Sequence, residues 1–160
     1  MELKPRYKLH NSTVLDADPD TVWAEVRDVI KMVKIVFAGA VTNVEWAEDG
    51  TIDRVPARYD FTILPGHDLV QQQVAGRNEV ERSLTYRTVA RALCIADYVA
   101  TYRVLTLTND PGRCYLEWTR DFQITDDAEP EAVDAILSMM SGQINALRDY
   151  FATPDPNRQP

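Results

Sequence analysis

Histidine and cysteine are scarce in this chain, two of each among 160 residues, and that scarcity removes several chemistries at once. His10 and His67 lie far apart with no cysteine or carboxylate at ligand spacing, so no metal site is expected. Cys94 and Cys114 match no metal or redox spacing, and two free, mostly buried thiols are the expectation for a reducing compartment. Basic charge is also in short supply. Against 25 Asp+Glu stand 17 Lys+Arg, a formal net charge of -8, which disfavours nucleic acid and anionic membrane surfaces as partners. A glycine-rich phosphate loop and a nucleophile elbow are both missing, and no cofactor is expected. No stretch approaches the ~20 apolar residues of a membrane span, and Met1 to Arg6 lacks the apolar core of a secretory signal, which makes the cytoplasm the expected location.

What the chain does have is a strongly patterned end. From Glu129 to Phe151 apolar residues fall at Val133, Ile136, Leu137, Met140, Ile144, Leu147 and Phe151, the spacing that gathers them on one face of a long helix. Before it, Arg54 to Ile124 is cut by Leu64-Pro65-Gly66-His67, Ala75-Gly76-Arg77-Asn78 and Asn109-Asp110-Pro111-Gly112, turn chemistries suited to hairpins. Strands are expected at Tyr7–Leu15, Val41–Ala47, Arg54–Leu64, Leu69–Val74, Val80–Val89, Tyr98–Thr108 and Cys114–Ile124. Asp18 suits a helix N-cap and Pro19 the first helical position. The helix that follows aligns Val22, Val26, Val29 and Val33, with a break expected near Ile30 and an exit at Phe37 to Ala40. Strand, helices, six strands and a long helix make an α+β pattern, with helices segregated from strands. One domain over 1–153 is expected, followed by a disordered tail at 154–160 whose prolines cannot continue the helix.

Several strings in this order resemble the START-like superfamily, also called SRPBCC. They are Asp18-Pro19-Asp20-Thr21-Val22-Trp23, Arg82-Ser83-Leu84-Thr85-Tyr86, Asp97-Tyr98-Val99-Ala100-Thr101-Tyr102-Arg103-Val104 and Glu117-Trp118-Thr119-Arg120-Asp121-Phe122. The resemblance implies a helix-grip fold: a seven-stranded antiparallel sheet wrapped around the long C-terminal helix, with two short helices after the first strand. It also implies a ligand cavity between that helix and the concave face of the sheet, ringed by the loops Leu64 to Asp68 and Arg91 to Asp97.

Strand alternation puts Trp118, Arg120 and Phe122 on one face, Leu84 with Tyr86 and Arg82, and Tyr98 with Ala100 and Tyr102. The resemblance makes these the concave faces. Ile136, Met140, Gln143 and Leu147 form the facing stripe of the helix, with Met139 at its edge. Aromatics and methionines on such faces serve equally as core filler, so the polar residues discriminate better. Burying the Arg120 guanidinium without a partner costs several kcal/mol and the Gln143 amide roughly 1–3 kcal/mol. Arg120 is therefore expected at the pocket or its mouth, and Arg82, near a hairpin, in water. Some catalytic relatives pair an arginine, here Arg58, with a glutamate on the next strand. That glutamate position falls at Gln72, which cannot act as a general acid or base. Candidate ligand contacts are thus Gln72, Leu84, Tyr86, Tyr98, Ala100, Tyr102, Trp118, Arg120, Phe122, Ile136, Met139, Met140 and Gln143, with Arg58, Tyr86 and Arg120 the candidates for any catalysis.

Two functions from different classes follow. One is a carrier, sensor or sequestering protein for an apolar, partly oxygenated small molecule. The other is a cyclase, dehydratase or isomerase acting on a polyketide-like substrate in the same cavity, where orientation supplies much of the rate. An interaction module with a collapsed pocket is a third, and oligomeric state is not legible.

Overall fold

A computed structural model describes residues 6–152, so the tail expected at 154–160 lies outside the described residues. The element order is β1 (Arg6–Leu15), α1 (Pro19–Val26), α2 (Val29–Val36), β2 (Val41–Ala47), β3 (Ala57–Ile63), β4 (Asp68–Asn78), β5 (Ser83–Thr88), β6 (Ile95–Thr106), β7 (Cys114–Ile124) and α3 (Pro130–Ala152). All seven strands form one antiparallel sheet in the order β1-β7-β6-β5-β4-β3-β2. This is the helix-grip α+β fold. Bulges at Thr42/Glu45, Val74/Gly76 and Ala96/Val99 add local bend and twist, which curls the sheet toward α3.

The helices begin where capping chemistry dictates. The Asp18 carboxylate accepts from the Thr21 N–H at 2.9 Å and the Thr21 hydroxyl at 2.7 Å, and these bonds hold the carboxyl below its ordinary range. Pro19 follows with no N–H to orphan. The break comes at Arg27–Asp28, slightly before Ile30, because Asp28 caps a second helix by accepting from the Ile30 N–H at 3.0 Å. The apolar stripe runs on across the break through Val22, Val26, Val29 and Val33, all buried. Tyr102 donates to the carbonyl of Val26 at 2.5 Å, tying the end of α1 to the sheet.

Four strand limits differ from expectation by three residues or more. Ala75 to Asn78 is the end of β4, and Gly76 sits at its bulge. The turn lies beyond, where the Asn78 side chain accepts from the N–H groups of Val80 and Glu81 at 3.0 and 2.9 Å. Consequently β5 begins at Ser83. The third strand begins at Ala57, and β6 begins at Ile95 after a tight Ala92–Ile95 turn.

The core lies between the concave face and the helices. Leu15, Tyr102, Leu116, Phe122, Ile124 and Leu147 are completely buried within it, each worth about 1.5–3 kcal/mol for an aliphatic or Phe side chain. Both cysteines are buried and neither is in a disulfide, and burial pushes the Cys114 thiol up to about 12. Among the described residues no helix is long and apolar enough to cross a membrane.

Candidate functional site

A cavity of about 80 Å³ lies between the sheet, α2 and the middle of α3. At ~24 cal/mol per Å³ such a hollow forfeits about 2 kcal/mol. It is well below the roughly 300 Å³ at which pockets for drug-sized ligands begin. Met32, Met139 and Met140 form part of its wall, and their unbranched, three-torsion side chains make that wall adaptable.

Alternation along the strands decides who faces the hollow. Gln72, Tyr86, Tyr98, Tyr102, Trp118, Met139, Met140 and Gln143, all expected, line it. Leu84, Ala100, Phe122 and Ile136 are buried in the surrounding core but do not reach it. Sequence reasoning missed a second wall made by Val29, Met32, Val33 and Val36 of α2 with Phe37 at its end, by Tyr59, Phe61 and Ile63 of β3, and by Val70 of β4. Its signal was the Tyr59-x-Phe61-x-Ile63 alternation. Of the two expected rim loops, Arg91 to Asp97 supplies Ala92, Leu93 and Ile95, while Leu64 to Asp68 supplies nothing. Leu93 holds a left-handed backbone, φ 55°, a conformation that costs a branched residue of order 1 kcal/mol and is retained where the surroundings enforce it.

Arg58 requires correction. Tyr59, not Arg58, is opposite Gln72, so a period of two sends Arg58 to the convex face, where it pairs with Glu48 at 3.2 Å. Arg58 and Gln72 therefore share no site, and Gln72 instead accepts the Tyr59 hydroxyl at 2.6 Å. Arg82 is half-buried and bound to Asp20 of α1 at 2.7 Å, because the turn at 79–82 folds back on that helix.

Arg120 also departs from expectation, lying behind the cavity wall and not at the mouth. It is 2% exposed, and its partners are all uncharged: Nε donates to the Tyr98 hydroxyl at 3.1 Å, one terminal nitrogen to Asn11 Oδ1 at 3.2 Å and the Met140 carbonyl at 3.1 Å, the other to Gln143 Oε1 at 2.5 Å. Its Cζ sits 3.8 Å from the centroid of Trp118, a cation–π contact that suits a weakly hydrated guanidinium. A guanidinium only donates, so Gln143 must turn its carbonyl oxygen to Arg120 and its amide N–H₂ elsewhere. The tyrosines complete the polar sector. Tyr86 and Tyr98 share a hydroxyl–hydroxyl bond of 2.9 Å, and Trp118 Nε1 donates to Tyr86 at 3.2 Å. Burial pushes the Tyr59, Tyr86 and Tyr102 phenols up from their ordinary value, so all three remain protonated at neutral pH.

The wall thus pairs a broad apolar surface with one sector rich in donors. No carboxylate, histidine, lysine or cysteine lines it, and among the described residues no cluster of His, Cys, Asp and Glu could hold a metal ion.

A family model described as polyketide cyclase / dehydrase and lipid transport matches residues 6–152. Among curated proteins none matches. Solved structures similar in fold include an aromatase/cyclase from a Streptomyces species, with a TM-score of 0.74 and 18% identity over 92% of this chain and 94% of that one. Norcoclaurine synthase from Thalictrum flavum has a TM-score of 0.69 and 14% identity over 97% and 99%. An uncharacterised protein from Bacillus thuringiensis has a TM-score of 0.74 and 16% identity over 92% and 100%. At such identities the likeness is one of fold.

Proposed function

The chain belongs to the polyketide cyclase/dehydrase and lipid transport family of the SRPBCC superfamily, and from that premise we propose that it binds one small, mostly apolar, oxygen-bearing molecule between the sheet and α3. The observation that carries the reading is the asymmetry of the cavity wall: apolar from α2, β3 and β4 except where the Tyr59 hydroxyl meets Gln72, and donor-rich where Tyr86, Tyr98 and Gln143 meet. Apolar surface supplies affinity and a few placed donors fix orientation, the usual division in small-molecule sites. Entry of a ring requires the methionine wall to open, so binding is coupled to movement of α3 against α2. Trp118 lines the cavity, which makes tryptophan fluorescence the direct test. Titration with 2-naphthol should give saturable one-to-one quenching and a raised melting temperature. Absence of saturation with naphthols and smaller phenols alike would remove the reading.

A cyclase, dehydratase or isomerase is the second reading, favoured by the fold shared with an aromatase/cyclase. The lining has no carboxylate, histidine, lysine or cysteine. Proton transfer would therefore rest on a tyrosine hydroxyl, and rate on orientation and on donors aimed at a developing oxyanion.

A further inference from the structure

We propose that the cavity takes its guest in ionised form, as a phenolate or enolate, its charged oxygen held by the one hydroxyl proton that Tyr86 and Tyr98 leave unshared, with Arg120 behind them as the missing counter-charge. The inference rests on the cavity being a ligand site.

Counting protons carries the first half. Two N–H groups enter the pair, Trp118 Nε1 on Tyr86 and Arg120 Nε on Tyr98. The two hydroxyls bring two protons, and the 2.9 Å bond between them consumes one. If Tyr98 donates, Tyr86 accepts twice and its own O–H is free. If Tyr86 donates, Tyr98 is the one left with a free O–H. Each phenol oxygen has one proton and two lone pairs, so both arrangements leave one O–H without an acceptor. Both residues are 6% exposed and both line the cavity. A buried donor left unmet is costly, and an acceptor on the guest relieves that cost.

Charge carries the second half. Arg120 is buried among neutral oxygens, and a buried cation needs a counter-charge to offset its desolvation. The neighbouring Asp121 points the other way along the strand and is taken by Arg6 at 2.5 Å. The groups that line the cavity around the tyrosine pair carry no negative charge. Tyr59 comes from β3, Tyr102 from β6 and Arg120 from β7, while α2 and α3 present Met32, Val33, Met140 and Gln143. Asp28 acts on Tyr102 from its far end, and burial keeps the Tyr86 proton in place. Negative charge therefore falls to the guest. The tyrosine pair has one O–H to offer, with the amides of Gln72 and Gln143 among the other donors of the lining, so at that point a single-oxygen, delocalised anion fits better than a carboxylate, whose two oxygens both need donors.

The test compares 4-nitrophenol, whose ionised form is yellow, with its methyl ether 4-nitroanisole. On the wild-type protein the phenol should turn yellow at a pH where the free probe is mostly colourless, and its anion should bind about tenfold or more tighter than the ether. Tyr86→Phe and Tyr98→Phe, made singly, should each keep that preference, since removing one hydroxyl frees the proton of the other. The double variant should lose it and bind both probes alike, the ether reporting that the cavity is still formed. Equal binding of the two probes by wild type, or binding of the phenol with its proton retained, overturns the inference and leaves the cavity reading standing. Loss of the preference in either single variant overturns the shared-proton argument. Failure of both probes to bind removes the cavity reading, and this inference with it.

Discussion

The two halves of α3 do different work, and comparing them separates the part of the protein that holds the fold from the part that closes the site. Across residues 140–151 the helix buries Met140, Gln143, Ile144, Leu147 and Phe151, whereas across 130–139 it buries Ile136 alone. The helix as a whole is packed on β1 and α2. The first half has few apolar contacts to lose, and through Met139 it forms part of the cavity wall. One amphipathic helix can thus be rigid at one end and yielding at the other, since local opening costs least where apolar contacts are fewest. Arg120 marks the boundary, reaching the helix at the Met140 carbonyl and at Gln143.

The largest effect should come from breaking the anchored half. Leu147 is completely buried, so Leu147→Ala should cost about 2–5 kcal/mol by chemical denaturation. Ile136→Ala should cost under about 2 kcal/mol, because the helix end can settle into the space. Equal costs would erase the distinction.

Next comes the boundary itself. Arg120→Met relieves a desolvated charge but strands the buried Gln143 Oε1 and the half-buried Asn11 Oδ1 without their donor, and a buried orphan costs about 1–3 kcal/mol. A net loss of about 1–3 kcal/mol is expected, with faster amide exchange from Met140 toward Pro130 and little change beyond Leu147. A variant more stable than wild type would show that desolvation outweighs those bonds.

A pH titration sharpens the contrast between buried hydroxyls and the open helix end. Tyr59, Tyr86 and Tyr102 have folded pKa values raised by burial above the ordinary 10. Their protonated form is favoured in the native state, so the stability they lend is complete below about pH 10 and is lost as pH rises through the folded values. Tyrosinate absorbance from these residues should appear only together with loss of tertiary structure. Ionisation in a still-folded protein would contradict their burial. The smallest effect is on the thiols: Cys114, pushed up to about 12, should resist alkylation until the protein unfolds.

Much of this architecture is legible from local chemistry. Asp18-Pro19 announces a helix start because capping is a contact between near neighbours, and the α3 stripe is legible because its period is unbroken. Ala75 to Asn78 misleads, since glycine serves a bulge as readily as a turn and only pairing with β5 decides between them. Arg58 and Gln72 fail as a pair for a register reason: strands of alternating faces must be aligned to the residue before two side chains can be put together. The α2 wall is invisible because Val29, Met32, Val33 and Val36 look the same whether they cover core or cavity. Arg120 is recognisable as anomalous from its aromatic neighbours, but its partners Asn11 and Gln143 lie far away in sequence and only the fold assembles them.

The central claim is that the methionine wall, Met32 of α2 with Met139 and Met140 at the middle of α3, opens to admit a guest. Methionine-methyl NMR during titration with 4-nitroanisole tests it directly. The account predicts saturable shifts of the Met32, Met139 and Met140 signals with one shared dissociation constant. Unmoved Met32, Met139 and Met140 signals at concentrations that saturate any other response would contradict it.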